Sequence, residues 1–169
     1  MRSVPVPIRI LTLIAGFALL AAPALGACAD PPAPGVEWRR CLLDSIDLSG
    51  RDLSGAKLRD TSFAQAKLTE AKLVGVEASD TRFGFADLSR ADLSRAILRG
   101  ADFTRAILAG SALMGADLRR ATLFRADLRG ADLTGADLTG ANLSGALLGG
   151  ARWMDGQRIC AAASVGSCQ

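Results

Sequence analysis

The chain contains no histidine and no tyrosine, and its aromatic residues are six Phe and two Trp. Without histidine it lacks the imidazole base of the common catalytic triads and any imidazole metal ligand. Neither sign of charge predominates, because 20 basic and 17 acidic side chains leave a net charge of only +3. These absences argue against imidazole-dependent catalysis and against the strong field of a nucleic-acid or anionic-membrane binder.

Long apolar runs are confined to the first 27 residues. Arg2 and Arg9 precede an apolar stretch over residues 10–20, and the small-residue segment AAPALGA follows it. This arrangement is typical of a secretory signal peptide, because the apolar run is too short for a membrane span and no stop-transfer segment follows. We expect residues 1–27 to be a signal peptide and the mature chain to be periplasmic or secreted, with no transmembrane span. A retained N-terminal anchor is the less favoured alternative.

The end of that segment leaves two modes of processing open. The letters LGAC at residues 25–28 resemble the lipobox of bacterial lipoproteins, in which the cysteine is lipidated, whereas cleavage after Ala24 or Ala27 would release a soluble chain. The mature chain would then hold four cysteines, Cys28, Cys41, Cys160 and Cys168. An even number in an oxidising compartment favours two disulfides over a lipoprotein tethered through Cys28.

A five-residue repeat fills most of the remaining chain. Counting every fifth residue from Leu43 to Trp153 gives 23 consecutive pentapeptides without an insertion. The central position, i, is Leu in 18 of them and position i−2 is Ala in 16. Position i−1 is often Asp, i+1 is often Ser, Thr or Arg, and i+2 is Gly about half the time. The repeat unit is therefore A-(D/N)-L-(S/T/R)-G.

This spacing fits neither a helix nor a long strand. Successive leucines would rotate by about 140° around a helix, and apolar spacings of two and then three break the alternation of a strand. The pattern instead indicates a coil that turns one corner per repeat. Positions i−2 and i then point inward, and i+2 makes the corner, where Gly tolerates an unusual φ.

Over residues 41–155 the pattern resembles the pentapeptide-repeat family. The resemblance implies an all-β fold, a right-handed quadrilateral β-helix solenoid in which four pentapeptides make one square coil of twenty residues. We expect just under six coils from the 23 repeats, an N-terminal cap at residues 28–40 and a C-terminal cap at residues 156–169. Phe63, Phe83 and Phe103 are spaced by twenty residues, so they should form one column in the core.

The two ends of such a stack expose unpaired backbone groups and need covers. A disulfide requires Cα atoms within about 7 Å, far less than the length of the rod. We therefore expect Cys28 to pair with Cys41 and Cys160 to pair with Cys168, one pair at each end. Arg51 falls at an inward i−2 position, where a buried charge is costly, so the first coil should be open or distorted there.

Candidate catalytic groups are not convincing in this arrangement. The aspartates at i−1 point outward on a convex rod, so they do not share the cleft that paired carboxylates need for acid–base work. The glycines recur at every fifth position as corners and do not form a phosphate loop. We predict no catalytic residue, no cofactor and no metal ligand. The leading hypothesis is a non-enzymatic exported protein that acts as a structural or protein-interaction module with an unknown partner.

Strongly acidic members of the family mimic DNA and protect gyrase, but charge argues against that role here. Residues 41–155 hold 15 acidic and 15 basic side chains, whereas a DNA mimic needs a dominant negative surface. A signal peptide would also place the chain on the wrong side of the membrane. We therefore expect no nucleic-acid role.

Two surface features remain as candidates for binding. Arg99, Arg119 and Arg120 should lie at one edge of the side that holds the phenylalanine column, with Arg105 and Arg125 at its other edge. This arginine frame suggests an accessory protein that binds an anionic envelope component. The alternative is that these arginines are ordinary surface charges, interleaved with acidic residues, that bind no ligand. The outward apolar residues are spread over all sides and define no patch. They are Val74, Phe85, Ile97, Ile107, Met114, Phe124 and Leu147. Self-association through the caps, with Trp38 or Trp153, is a further alternative.

Overall fold

The computed structural model describes residues 27–169. The predicted signal peptide therefore lies outside the described residues, apart from Ala27. A 3₁₀ helix of one turn spans Ala27–Ala29, and the chain then enters a stack of coils. Among residues 27–169 no helix has the length and apolar character needed to span a membrane.

Parallel β-bridges connect each coil to the next. From Glu37 to Asp132, every fifth residue pairs with the residue twenty positions later. The bridges are single-residue contacts, and residues 27–169 contain no extended strand. Backbone hydrogen bonds flank each bridge, for example from Leu43 N to Ser62 O at 2.8 Å and from Lys67 N to Ile46 O at 2.8 Å. One coil therefore contains twenty residues and four bridges, as the repeat predicts.

Every corner of the coil uses a left-handed backbone conformation. From Gly35 to Gly150, each residue at position i+2 has φ between 55° and 74°. The next amide closes the turn, as where Ala56 N donates to Leu53 O at 2.9 Å. A β-turn with positive φ at its third residue favours glycine. Half of these corners nevertheless carry a side chain: Arg40, Ser45, Asp60, Gln65, Glu70, Asp80, Phe85, Arg90, Arg95, Arg105, Arg120 and Arg125.

The inward positions form a continuous apolar core. Leucines at i and alanines at i−2 are almost completely buried along the stack. The three phenylalanines lie in one column, with ring centroids 5.5 Å apart for Phe63 and Phe83 and 4.9 Å apart for Phe83 and Phe103. Their planes are within 8° and 7° of parallel. The twenty-residue register therefore stacks the rings directly on one another.

Two hydroxyl side chains replace alanine beside that column without leaving a buried donor unpaired. Thr61 and Thr81 occupy position i−2 and are fully buried. The hydroxyl of Thr61 donates to the backbone oxygen of Trp38, and that of Thr81 donates to the oxygen of Leu58 at 2.7 Å. Burial of these hydroxyls is tolerated because each is hydrogen-bonded.

The aspartates at i−1 have a structural role that the repeat pattern alone did not reveal. In all nine repeats with Asp at this position the carboxylate accepts the backbone N–H of residue i+1, as between Ser54 N and Asp52 Oδ1 at 3.0 Å. Asn142 does the same for Ser144. The amide and side chain of Thr139 hold the pKa of the Asp137 carboxyl below its usual value through hydrogen bonds. The Asp side chain therefore stabilises the turn of its own repeat through this hydrogen bond.

The coil begins earlier than the expected boundary at residue 41. Glu37 bridges Lys57, and Gly35 N donates to Ser54 O at 2.9 Å. Trp38 occupies an inward position, is only 1% exposed and packs at 6.4 Å from the ring of Phe63. Residues 35–40 are thus part of the first coil rather than a separate cap, because Trp38 fills the site that Leu holds elsewhere.

Arg51 lies in this first coil without distorting it. Its side chain is exposed, while its backbone keeps the same pattern of turn and hydrogen bonds, including Lys72 N to Arg51 O at 2.9 Å. The expected opening or distortion of the coil is therefore not observed, because the Arg51 side chain is exposed to solvent while the backbone stays regular.

The C-terminal segment folds back on the second half of the last coil. Val165 and Ile159 form antiparallel bridges with Leu147 and Arg152, respectively. Leu148 N donates to Ser164 O at 2.9 Å, so backbone groups of the last coil that would otherwise face solvent are paired. Trp153 is half-buried against the core beneath this segment. The segment therefore covers the part of the last coil over residues 146–153, whereas the backbone N–H groups of Leu138, Gly140, Leu143 and Gly145 have no backbone partner among residues 27–169.

One disulfide lies at each end of the rod. Cys28 is bonded to Cys41, with Cα atoms 5.5 Å apart, and Cys160 is bonded to Cys168, with Cα atoms 4.9 Å apart. These are the same two pairs that the positions of the cysteines at the ends suggest. No cysteine among residues 27–169 is free.

The phenylalanine column provides a test of core packing. Replacing the middle ring by Phe83→Ala should lower the free energy of unfolding by about 3–5 kcal/mol, because it removes a fully buried side chain that has a ring on each side. Phe83→Leu restores the usual residue of position i and should cost about 1 kcal/mol. Denaturant unfolding followed by circular dichroism measures both. Equal stability of the Ala variant and the wild type would contradict the packing described.

The turn aspartates provide a second test, at Asp132. Partial burial acts to raise the pKa of this carboxyl, but hydrogen bonds from the hydroxyl and amide of Thr134 outweigh it, and the pKa is lowered. The resulting stabilisation is complete above the unfolded pKa of about 3.9 and is lost as pH falls through the lower folded value. Asp132→Ala should cost about 1 kcal/mol at pH 7.

The Asn variant separates hydrogen bonding from charge at the same position. Asp132→Asn keeps an acceptor for the Thr134 amide, so it should be less harmful than Ala at pH 7. Its stability relative to wild type should rise as pH falls below about 4, because only the wild type has a proton to gain at this site. Thermal unfolding at pH 7 and pH 3 measures the difference. A pH-independent gap between the two proteins would contradict the assignment.

Candidate functional site

Two shallow surface depressions lie on the side of the rod whose inward column begins with Trp38. The second of them, about 640 Å³ in volume, is lined by four arginines together with smaller polar residues. We call the i+1 arginines of this side the arginine row; its members are Arg39, Arg59, Arg99 and Arg119. Ser79 takes the same position in the coil between Arg59 and Arg99. The twenty-residue register therefore places four guanidinium groups in line along the axis.

Asp117 holds the C-terminal half of the arginine row in place. Its carboxylate accepts hydrogen bonds from Arg99 Nε at 2.5 Å and from Arg119 Nη2 at 2.8 Å. The Arg119 bond, with a further contribution from Arg99, holds the pKa of Asp117 far below its usual value, and Asp117 in turn raises the pKa of Arg119. This half of the row is ordered by the carboxylate, which also offsets part of its charge.

Acidic residues accompany the other half of the row as well. Arg39 lies 3.9 Å from Glu77, and Arg59 lies 3.7 Å from Asp60, which is also 4.0 Å from Arg40. These contacts are long and mostly exposed, so each contributes little to stability. Arg120, at the corner beside the row, lines the second depression, and no carboxylate of residues 27–169 lies within 4.0 Å of its guanidinium group.

Arg105 and Arg125 lie at the other edge of the phenylalanine side and contact aromatic rings. The guanidinium carbon of Arg105 is 5.6 Å from the ring centroid of Phe85, and that of Arg125 is 5.1 Å from the centroid of Phe124. Both distances are within the range of a cation–π interaction. We call these four residues the corner strip. Phe85 is the most exposed aromatic side chain of the rod, at 54%.

The arginines of the predicted frame lie along two edges of the phenylalanine side, and they differ in environment. Arg99 and Arg119 share Asp117, whereas Arg105 and Arg125 are stacked on phenylalanines. Arg39 and Arg59 were not among the predicted residues. Counting back by twenties from Arg99 reaches both positions, so the register contained the signal. The contacts of Phe85 and Phe124 with arginine could not be predicted from the repeat, because the register does not fix the conformation of a long side chain.

The remaining exposed apolar side chains do not extend this surface. Ile97, Ile107, Met114 and Leu147 are 39–45% exposed and lie on different sides or in different coils. Leu42, at 75% exposed, lies in the first coil, away from the corner strip. Among the described residues, no group of acidic or cysteine side chains is arranged to hold a metal ion.

Solved structures that resemble this chain are pentapeptide-repeat proteins or share their fold. QnrB1, a plasmid-mediated fluoroquinolone resistance protein, is 24% identical, with 73% of this chain and 68% of that chain covered and a TM-score of 0.54. Rfr23 from the cyanobacterium Cyanothece 51142 is 26% identical over 69% of this chain and 83% of that chain, with a TM-score of 0.45. HetL from Nostoc sp. strain PCC 7120 is 33% identical over 74% and 75%, with a TM-score of 0.37. The likeness to QnrB1 implies a right-handed β-helix.

The comparison of sequences gives the family directly. No curated protein sequence matches the chain. The family described as "Pentapeptide repeats (8 copies)" matches residues 46–84, 86–123 and 116–152, which together make up more than half of the chain. These matches coincide with the coils whose corners and bridges recur every five residues. The chain therefore belongs to the pentapeptide-repeat family.

Proposed function

We propose that this chain is an exported, non-enzymatic rod that acts as a structural or protein-interaction module. The arginine row is the observation that carries the proposal. It lines up four arginines on one side of the rod, each within 4.0 Å of a carboxylate, and the backbone ladder fixes their spacing. A rigid row of this kind suits recognition of a partner along the side of the rod, with little ordering cost on binding.

Two features support an oxidising location. A disulfide closes each end of the rod, and such bonds persist in secreted and periplasmic proteins rather than in the reducing cytosol. The apolar segment within residues 10–20 fits the same location as part of a signal peptide. Export would bring the rod into contact with the anionic polymers and lipid head groups of a cell envelope.

Recognition of an anionic envelope component is the specific form of this proposal. Arg59, Arg99, Arg119 and Arg120 border one depression, and arginine matches carboxylate and phosphate groups in bidentate geometry. The likeness to QnrB1 supports the fold and not a shared target, because the identity is 24%. Equal numbers of acidic and basic residues in 41–155 do not favour a DNA mimic.

Replacing two members of the arginine row tests the proposal. The double variant Arg99→Ser with Arg119→Ser should bind phosphatidylglycerol vesicles or heparin about threefold or more weakly than wild type at low salt, because two aligned guanidinium groups are lost. Vesicle co-sedimentation and heparin retention at two salt concentrations measure this.

A matched control is available on another side of the rod. Arg90 is paired with Glu70, and Arg129 is paired with Asp127 in the same way as Arg119 with Asp117. The variant Arg90→Ser with Arg129→Ser therefore removes the same charge from paired arginines elsewhere. It should retain binding close to wild type. Equal losses in both double variants would reduce the effect to net charge, and no binding by the wild type would refute the proposal.

The mass of the exported protein tests its processing. A chain cleaved before Cys28 and carrying both disulfides should gain four hydrogen atoms on reduction, two per disulfide. A lipidated Cys28 would instead add the mass of the lipid groups and leave Cys41 without its partner, so only the Cys160–Cys168 disulfide would remain and reduction would add two hydrogen atoms. Intact-mass spectrometry with and without reductant measures both. A mass that includes residues 1–26 would contradict export by cleavage.

A further inference from the structure

The corner strip is the place where the outer surface departs furthest from the repeat. Three of its residues belong to one column of corner positions. In successive coils this column holds Ser45, Gln65, Phe85, Arg105, Arg125 and Gly145. Phe85 is the only aromatic residue at a corner between Gly35 and Gly150. The adjoining i+1 column carries small residues at Ala64, Gly84 and Thr104 and then Phe124. The strip therefore places two rings and two guanidinium groups next to each other in three successive coils.

The backbone at Phe85 is unfavourable for this residue. Its φ is 59°, in the left-handed region that costs an L-residue about 1–2 kcal/mol and that bulky residues rarely adopt. Glycine meets the same requirement without that cost at all five corners from Gly130 to Gly150. More than half of the Phe85 side chain is exposed, so burial does not compensate. Stability alone does not account for a phenylalanine at this corner.

Among the described residues, the two arginines of the strip lack a counter-ion, as Arg120 also does. Within residues 27–169, no carboxylate lies within 4.0 Å of the guanidinium group of Arg105 or Arg125, whereas Arg99 and Arg119 share Asp117. The rings of Phe85 and Phe124 hold these guanidinium groups from one face and leave their N–H edges available. The strip is therefore complementary to a ligand with both negative charge and a stacking face.

The spacing of the strip selects among ligands of that kind. Successive coils are separated by about 4.8 Å, the spacing of paired strands, so Phe85, Arg105 and Arg125 recur at that interval along the axis. Successive units of an extended 1,4-linked pyranose chain are rotated relative to one another, so their carboxylates do not all face one side, and two arginines one coil apart can meet the same carboxylate. An extended peptide repeats its side chains on one face at about 6.6–6.8 Å, which falls out of step after one coil. The carboxylate of a uronic acid would meet arginine, and the C–H face of the sugar ring would meet phenylalanine.

We propose that the corner strip binds a linear acidic polysaccharide. The site rests on the proposed function, recognition of an anionic envelope component, and it specifies the chemistry of that component. Phe85 packs against the ring of one sugar, and Arg105 and Arg125 together bind the carboxylate of a neighbouring uronic acid unit.

Titration calorimetry with polygalacturonate tests the site, with fully methyl-esterified polygalacturonate as the neutral ligand of the same backbone. Wild type should bind the acid form and not the ester. Arg105→Ser with Arg125→Ser should weaken binding by about tenfold or more, because two charge-assisted hydrogen bonds are lost. The control Arg90→Ser with Arg95→Ser removes two arginines from corners of similar φ, 56° and 58°, on other edges. It should leave binding within about twofold of wild type.

Phe85→Gly separates a binding role from a structural one. The change leaves the net charge unaltered and relieves the left-handed strain, so the thermal midpoint should be equal to or higher than that of wild type. Binding of polygalacturonate should nevertheless fall about threefold or more, with an unchanged dependence on salt, because a stacking contact and not a charge is lost. Unchanged affinity in this variant would overturn the stacking role of Phe85.

The remaining outcomes distinguish the site from the broader proposal. Poly-glutamate and phosphatidylglycerol vesicles serve as anionic probes without sugar rings. Binding to these probes as tight as to polygalacturonate, or equal losses in both arginine double variants, would refute the polysaccharide site and leave anion recognition standing. Binding to none of the anionic probes would refute both. Selective loss in the strip variants, with polygalacturonate preferred over poly-glutamate, would support the site.

Discussion

Hydrogen bonds between residues nineteen to twenty-one positions apart hold the coils together, and they depend on a corner of positive φ at every fifth residue. Each corner from Gly35 to Gly150 meets this condition, and the bridges from Glu37 to Asp132 keep the twenty-residue register. A single inserted residue would move every later side chain to the wrong side of the backbone. The regular sequence is therefore a geometric requirement, and the burial of Leu and Ala follows from it.

The same register controls the outer surface, because any two residues twenty positions apart are neighbours in adjacent coils. Charges alternate along one outward column, where Lys57 lies between Glu37 and Glu77 and contacts Glu37 at 2.6 Å. Like charges also meet where a shared carboxylate separates them, as Asp117 does for Arg99 and Arg119. Surface electrostatics in this fold are thus decided by pairs that are remote in sequence, which short motif searches do not detect.

Much of the fold could be predicted from the sequence because its period is strict. The inward positions follow from counting by fives. The stacked phenylalanines follow once the resemblance to the pentapeptide-repeat family implies a coil of twenty residues, and the cysteine pairs follow from the distance between the two ends of the resulting rod. The start of the coil could not be obtained in this way, because Val36 and Trp38 replace the usual Ala and Leu. The role of Asp at i−1 could not be predicted either. The sequence does not distinguish a carboxylate that faces only water from one that accepts the backbone N–H two residues later.

The candidate site could be predicted only in part, for a related reason. Register places Arg105 and Arg125 in one column, but which groups accompany a long side chain depends on its conformation. In a solenoid, stability is spread over many similar repeats, so one unfavourable surface residue is readily tolerated. The residues that do not serve the coil are therefore the most informative about function. Phe85, exposed at a corner that glycine fills without strain, is the clearest of them, and Arg105 stacked on its ring extends the same surface into the next coil.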